Sequence, residues 1–205
     1  MAEIQILRRR LSPEQARRRQ QIVSKAMRLI AEEGSSVSME TVASAADVSR
    51  ATLYRYYTSR EHLLAEVTLA AGRTMISFLR ANPPRGTTVG EQVEALCGTV
   101  TGVAGENEQL LASCVSNLSS EDPAVLEAYR EIEELVSGML GSVINGLAPA
   151  KGPMIQTTVF RYLLGSFVLA TTGKLEYTEV AEGLTALCRL LLADVWSEKP
   201  RPSSG

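Results

Sequence analysis

Behind Ser49 the chain reads Arg50, Ala51, Thr52, Leu53, Tyr54, Arg55, Tyr56, which sets five long or hydrogen-bonding side chains within two helical turns. Only Leu53 and Tyr57, four residues apart, need face a core. So short and polar a helix has little apolar face from which to draw stability, and its exposed side is suited to hydrogen-bonding a ligand rich in donors and acceptors. Arg50, near the helix start, is placed for bidentate donation to guanine O6 and N7 in a major groove. Arg55 is placed to read a base or to grip a phosphate. The hydroxyls of Ser49 and of Thr41, which opens the preceding helix, can donate to phosphate oxygens.

Catalytic chemistry is poorly supplied. His62 is the only histidine, and as a general base it would need a nucleophile, carboxylate or metal in reach. No such constellation is legible, so His62 reads as a surface or interdomain residue of the fourth helix. Cys97, Cys114 and Cys188 are widely spaced in apolar helical contexts without metal or redox spacing, and are expected to be buried reduced thiols. No metal and no cofactor is expected.

The elements that must position these groups are helices. The chain has 205 residues, 45% hydrophobic and only 5% aromatic, with no alternating β-branched run, which favours an all-α fold and is ample for a core. Ser12-Pro13-Glu14 starts a first helix that runs to Glu33, where Gly34 is expected to take a left-handed cap. Ser38 caps a second helix and Ser49 a third. Val37 with Val42, and Val48 with Leu53, form hydrophobic staples at the same offsets, and Ala46-Asp47-Val48 allows only a sharp turn between the two helices. The fourth opens at Thr58-Ser59-Arg60-Glu61, with either a Thr58–Glu61 capping box or Ser59 as cap, and runs to about Arg80 before Asn82-Pro83-Pro84. Further patterns at about 89–103, 106–119, 122–146, 153–173 and 177–197 bring the total to about nine helices. The expected division is a basic arm (1–11), a helix-turn-helix DNA-binding domain (12–58), a C-terminal regulatory and dimerisation domain (59–197) and a disordered tail (198–205).

Charge follows that division. Residues 1–62 hold eleven Lys or Arg against seven acids, a balance of +4, and the remainder holds ten against sixteen, or −6. A basic head on an acidic body suits a nucleic-acid-binding module joined to a non-binding one. Arg8, Arg9 and Arg10 are placed to enter a minor groove or to act by unlocalised attraction. The opening residues lack a signal-peptide core and no segment reaches membrane-spanning length, so the expected location is the cytoplasm.

Val42-Ala43, Ala46-Asp47-Val48-Ser49, Thr52-Leu53-Tyr54, Tyr56-Tyr57 and Ser59-Arg60-Glu61-His62-Leu63 resemble the TetR family of bacterial repressors, over about residues 14–65. Asp47 stands where the family usually has Gly and Arg60 where it usually has Lys; Asp tolerates left-handed geometry better than most residues. The resemblance implies a homodimeric repressor that binds a palindromic double-stranded operator and is released by a small molecule. It further implies phosphate contacts from Tyr54 and Tyr56, and Arg60 keeps the charge for a phosphate clamp at the start of the fourth helix. The competing functions are a helical small-molecule-binding protein or enzyme with an incidental helix-turn-helix, and a DNA-binding protein without an effector. Activation in place of repression is equally compatible with the residues.

In the C-terminal part, the helices at 153–173 and 177–197 are the most apolar pair, and Gly165, Ser166 and Ala170 permit close approach, so this pair is assigned to the dimer interface, with ordinary intramolecular core as the competing reading. Met75, Phe78, Leu79, Cys97, Leu111, Cys114, Leu118, Tyr129, Ile132, Met139 and Phe160 are candidates to line a cavity for an apolar effector, with Asn117 and Arg161 to orient it. Arg161 could instead meet Glu131 or Glu134, or face solvent.

Overall fold

The computed structural model describes residues 12–144 and 152–199; the basic arm, the linker around 145–151 and the last six residues lie outside them. Among the described residues there are nine α-helices and no strand: α1 (Pro13–Glu33), α2 (Met39–Ala45), α3 (Arg50–Tyr56), α4 (Arg60–Ala81), α5 (Val89–Glu106), α6 (Glu108–Ser116), α7 (Pro123–Ile144), α8 (Gly152–Thr171) and α9 (Tyr177–Leu191). None of these helices is long and apolar enough to cross a membrane. The described residues form two compact units, one taking in those up to Gly72 together with Gln109–Glu131, the other Arg73–Glu108 with those from Ile132 onward.

In the first unit α1 starts as expected from Ser12, whose Oγ accepts from the Gln15 amide at 3.2 Å while Gln15 Oε1 accepts from the Ser12 amide at 2.9 Å, a reciprocal capping box. Its apolar stripe, Ile22, Val23, Ala26 and Ile30, is buried against Val37, Val42, Leu53, Tyr57, Leu63, Leu64 and Val67. Both staples reach that core. Gly34 ends α1 at φ 68°, ψ −148°, a positive φ as expected but outside the left-handed helical region and open in practice only to glycine. A 3-10 turn over Gly34–Ser36 follows.

Residues 109–131 join this unit through polar ties as well as packing. Asn117 Nδ2 donates to the Glu61 carbonyl at 3.1 Å, and Ser59 Oγ donates to Asp122 Oδ2 at 2.6 Å. The first turn of α4 is therefore gripped by side chains more than fifty residues away, which explains why contacts divide the chain within α4 and not at its start.

The second unit is built around Leu79, Val89, Val93, Leu96, Cys97, Ile155, Val159, Leu184, Cys188, Leu192 and Val195. The last helix is shorter than its apolar pattern predicts: α9 ends at Leu191, and the chain turns so that the Trp196 and Glu198 carbonyls accept from the Gly90 and Val89 amides, both at 2.9 Å. These are two of the open donors at the start of α5, and Trp196 lies so close over Gly90 that a Cβ there would meet its ring. Cys97, Cys114 and Cys188 are buried free thiols. Burial pushes Cys114 up to about 11, and Cys188 is pushed upward because its thiol donates to Cys97.

Candidate nucleic-acid interface

The angle between α2 and α3 is set by backbone hydrogen bonds. At the end of α2 the Val48 amide donates to the Ala43 carbonyl at 3.0 Å and the Asp47 amide to Ser44 at 3.1 Å, the paired bonds of a Schellman cap. That cap needs a residue at positive φ, and Asp47 supplies it at φ 52°, the one non-glycine residue to do so among those described. Asp47 thus does the work usually given to a glycine, at the modest cost that a short polar side chain carries in this region.

Ser38 and Ser49 are matched caps. Ser38 Oγ accepts from the Thr41 amide at 3.1 Å and lies 2.9 Å from the Thr41 hydroxyl; Ser49 Oγ accepts from the Thr52 amide at 3.1 Å and donates to the Thr52 hydroxyl at 2.9 Å. Since Ser49 donates, the Thr52 proton stays available to an outside acceptor. Leu53 and Tyr57 are fully buried and Tyr56 packs beside them on the same core, while the opposite side of α3 is turned outward. Thr41, Ser49, Arg50, Ala51, Tyr54 and Arg55 are exposed and Thr52 and Tyr56 half-buried.

The cations of α3 have local partners. Arg50 Nη1 lies 2.9 Å from Glu40 Oε1 of α2, both side chains more than half exposed, and its guanidinium sits 5.5 Å from the Tyr54 ring centroid. Arg55 lies 5.7 Å from that of Tyr56. A groove of about 560 Å³ runs between the start of α1 and α3, lined among others by Ser12, Arg18, Asp47, Ser49, Thr52 and Arg55. Arg18 is a candidate that sequence reasoning missed. The Arg17-Arg18-Arg19 run was visible, but only the fold brings its middle member beside α3, whereas Arg19 turns inward to Glu66 at 2.9 Å.

Arg60 is engaged within the head. Its Nη2 donates to the Ser35 carbonyl at 2.8 Å and its Nε to that of Val37 at 3.4 Å, tying α4 to the loop ahead of α2. Ser59 is the cap of α4, its Oγ accepting from the His62 amide at 2.9 Å, so the Thr58–Glu61 box does not form. The His62 ring instead meets Thr58, whose amide donates to Nδ1 at 3.4 Å, and packs edge-on to Tyr57.

The candidate effector residues fall in both compact units. Leu111, Cys114, Asn117, Leu118 and Tyr129 belong to the first, where Asn117 spends its amide on the Glu61 carbonyl. In the second, Met75, Leu79, Cys97 and Met139 meet in one apolar cluster, with Phe160 buried and Phe78 45% exposed. Ile132 also lies there, and Arg161 is exposed on α8. Of the dimer candidates, Ser166 and Ala170 are buried within the chain's own fold while Gly165 faces out. Arg8, Arg9 and Arg10 lie outside the described residues.

Residues 22–67, which run from within α1 through the first turns of α4, match the family model of bacterial regulatory proteins, tetR family. Over 189 residues, 89% of this chain and 84% of the relative, the chain is 26% identical to the HTH-type transcriptional repressor KstR of Mycobacterium tuberculosis. The KstR of Rhodococcus jostii is likewise 26% identical over 182 residues, 88% of this chain and 85% of the relative. Among solved structures, a TetR transcriptional regulator from a Rhodococcus species superposes with a TM-score of 0.75 at 18% identity, covering 89% of this chain and 99% of that one. Thermus thermophilus FadR, a TetR-family repressor solved with lauroyl-CoA, superposes at 0.67 with 20% identity, covering 91% and 100%. With the capped α2–turn–α3 head and the helical body in place, the chain is similar to bacterial regulatory proteins of the tetR family, whose model its residues 22–67 match.

Proposed function

We propose that the protein is a homodimeric repressor that binds a palindromic operator through α3 and is released by a small molecule bound in its C-terminal helices. The observation that carries the reading is the outward face of α3, where Arg50, Ala51, Tyr54 and Arg55 are exposed while Leu53 and Tyr57 are fully buried. Arg50 reads guanine, Ala51 packs on a thymine methyl, and Arg55 and Arg18 line one groove and grip phosphate, helped by Thr41, Ser49, Thr52, Tyr54 and Tyr56. Arg60, committed to two carbonyls, holds α4 in place. The protein acts on DNA in the cytoplasm and without catalysis, as its relatives' description as transcriptional regulators suggests.

The reading is tested by selecting bound duplexes from a random library with the purified protein. A palindrome should be enriched. Arg50→Ala should cost about 1–3 kcal/mol at one base pair of each half-site, whereas Arg18→Ala and Arg55→Ala should weaken all sequences evenly and lower the salt slope by about one each. No enrichment would sink the proposal.

Half-sites of a palindrome lie about 34 Å apart or a multiple of it, so two heads are needed. The surface that supports a dimer is the outward side of α8, where Met154, Tyr162, Val168 and Leu169 are exposed, with Leu190 on α9. Val168→Asp with Leu169→Glu should shift sedimentation to the monomer and abolish preference for a palindrome over a single half-site; a dimer that persists would count against this face.

Release needs an effector with different affinities for the DNA-bound and free conformations. The lauroyl-CoA held by the FadR of similar fold and the apolar cluster around Met75, Leu79, Cys97 and Met139 favour an acyl chain. Fatty acyl thioesters are therefore the first effectors to try, scored as loss of operator binding. Because α4 passes from one compact unit into the other, Asn117 and Asp122, which grip its first turn, are the proposed points at which the signal reaches the head.

A further inference from the structure

We propose that Glu40 is a specificity-determining residue that orients Arg50 for its base. The inference rests on the reading of α3 as the recognition helix. An acid on this face is otherwise hard to account for: beside a surface read as facing a polyanion, it weakens non-specific attraction. Its position in the first turn of α2 gives it a small favourable interaction with the helix dipole, but that would be served as well by a carboxylate turned away from Arg50.

The geometry gives it a more particular task. A guanidinium donates from two edges, and only a pair of N–H groups held in plane with guanine O6 and N7 reads that base bidentately. Glu40 takes Nη1 at 2.9 Å and the Tyr54 ring, one turn further along α3, backs the group at 5.5 Å. With one nitrogen held and one face covered, the Nε and Nη2 edge is left whole for a ligand. Arg50 would otherwise lose much of its side-chain freedom on binding. In water so exposed an ion pair is weak; in a groove from which water is displaced it strengthens, so its orienting effect is largest when the base is being read.

The expected consequence is a trade of affinity for discrimination. Relative to the unaltered protein, Glu40→Ala and Glu40→Gln should bind random-sequence duplex several-fold more tightly at low salt, with a salt slope steeper by about one. At the base pair identified by Arg50→Ala, and there alone, preference for guanine should fall about five- to tenfold in Glu40→Ala and less in Glu40→Gln, whose amide oxygen still accepts from Arg50. The measurement is fluorescence anisotropy on the selected operator and on duplexes substituted at each position in turn, with thermal melting of each variant. A uniform gain in affinity with unchanged base preference would show Glu40 to be only a solvated charge. Loss of preference at every position, with a lowered melting temperature, would show it to be a support of α2. If Arg50→Ala changes no base preference while an operator is still selected, the reading of Arg50 fails and this proposal fails with it; if no operator is selected at all, the failure is that of the recognition helix.

Discussion

Replacing Tyr57 by alanine should cost the N-terminal unit about 3–5 kcal/mol, the range for removing a fully buried aromatic side chain, and should abolish operator binding at temperatures where the parent protein binds. The ring is wholly buried at the C-cap of α3, and its hydroxyl donates to the Arg19 carbonyl of α1 at 3.1 Å. Leu53 and Tyr57 are the two anchors of a seven-residue helix, so loss of the ring frees the end of the reading surface. Tyr57→Phe keeps the packing and loses one hydrogen bond, so it should cost only about 1 kcal/mol. The pair is told apart by urea denaturation followed by circular dichroism, and an alanine variant within about 1 kcal/mol of the parent would show that the site collapses without loss.

The same residue gives the head an alkaline limit. Burial pushes the Tyr57 phenol well above the usual tyrosine range, partly opposed by the nearby Arg19 cation. The folded state thus keeps a proton that the unfolded chain releases near pH 10. Stability from this group is complete below that pH and drains away as the pH rises above it. Tyr57→Phe should flatten the fall in stability above about pH 10, a sign opposite to that of a carboxylate, whose contribution is lost on the acid side.

What the sequence made legible was local. Ser12 announces the first helix through Pro13 and Glu14 behind it, Ser38 and Ser49 announce the next two because a cap and its staple lie within five residues of each other, and Leu53 and Tyr57 announce the buried side of α3 by spacing alone. The ion pair of Glu40 with Arg50 joins residues ten apart across a turn whose angle depends on Asp47 at positive φ, and no periodicity shows it. Arg60 was equally opaque, since its carbonyl partners lie on a loop twenty-five residues earlier. In the C-terminal helices apolar content is broad enough to fit core, cavity or interface alike. Their pattern neither distinguished the exposed Val168 and Leu169 from the buried Val159 and Ala170 nor marked the end of α9, where the decisive contact is tertiary, Trp196 over Gly90.

Removing Glu66 should cost about 2–3 kcal/mol, because it strands a cation that the fold has largely taken out of water. Arg19 Nη2 lies 2.9 Å from Glu66 Oε1, with only 14% and 16% of the two side chains exposed; Arg19 Nε is buried without a hydrogen-bond partner among the described residues, and the guanidinium stands 5.3 Å from the Tyr57 ring centroid. Breaking a fully buried pair costs about 3–5 kcal/mol, and the remaining exposure lets water recover part of that for Glu66→Ala. Glu66→Gln retains an acceptor and should lose about half as much. The informative variant removes both charges: Arg19→Met with Glu66→Leu takes away the cation that the single variant strands, so it should recover most of the single-variant loss, less the roughly 0.5–1 kcal/mol of the cation–ring contact. Denaturation of the two singles and the double forms a closed cycle, and simple additivity would show that the two side chains act independently. The expected coupling instead makes Arg19 and Glu66 one fastening between α1 and α4, tolerant of being replaced whole and intolerant of being halved.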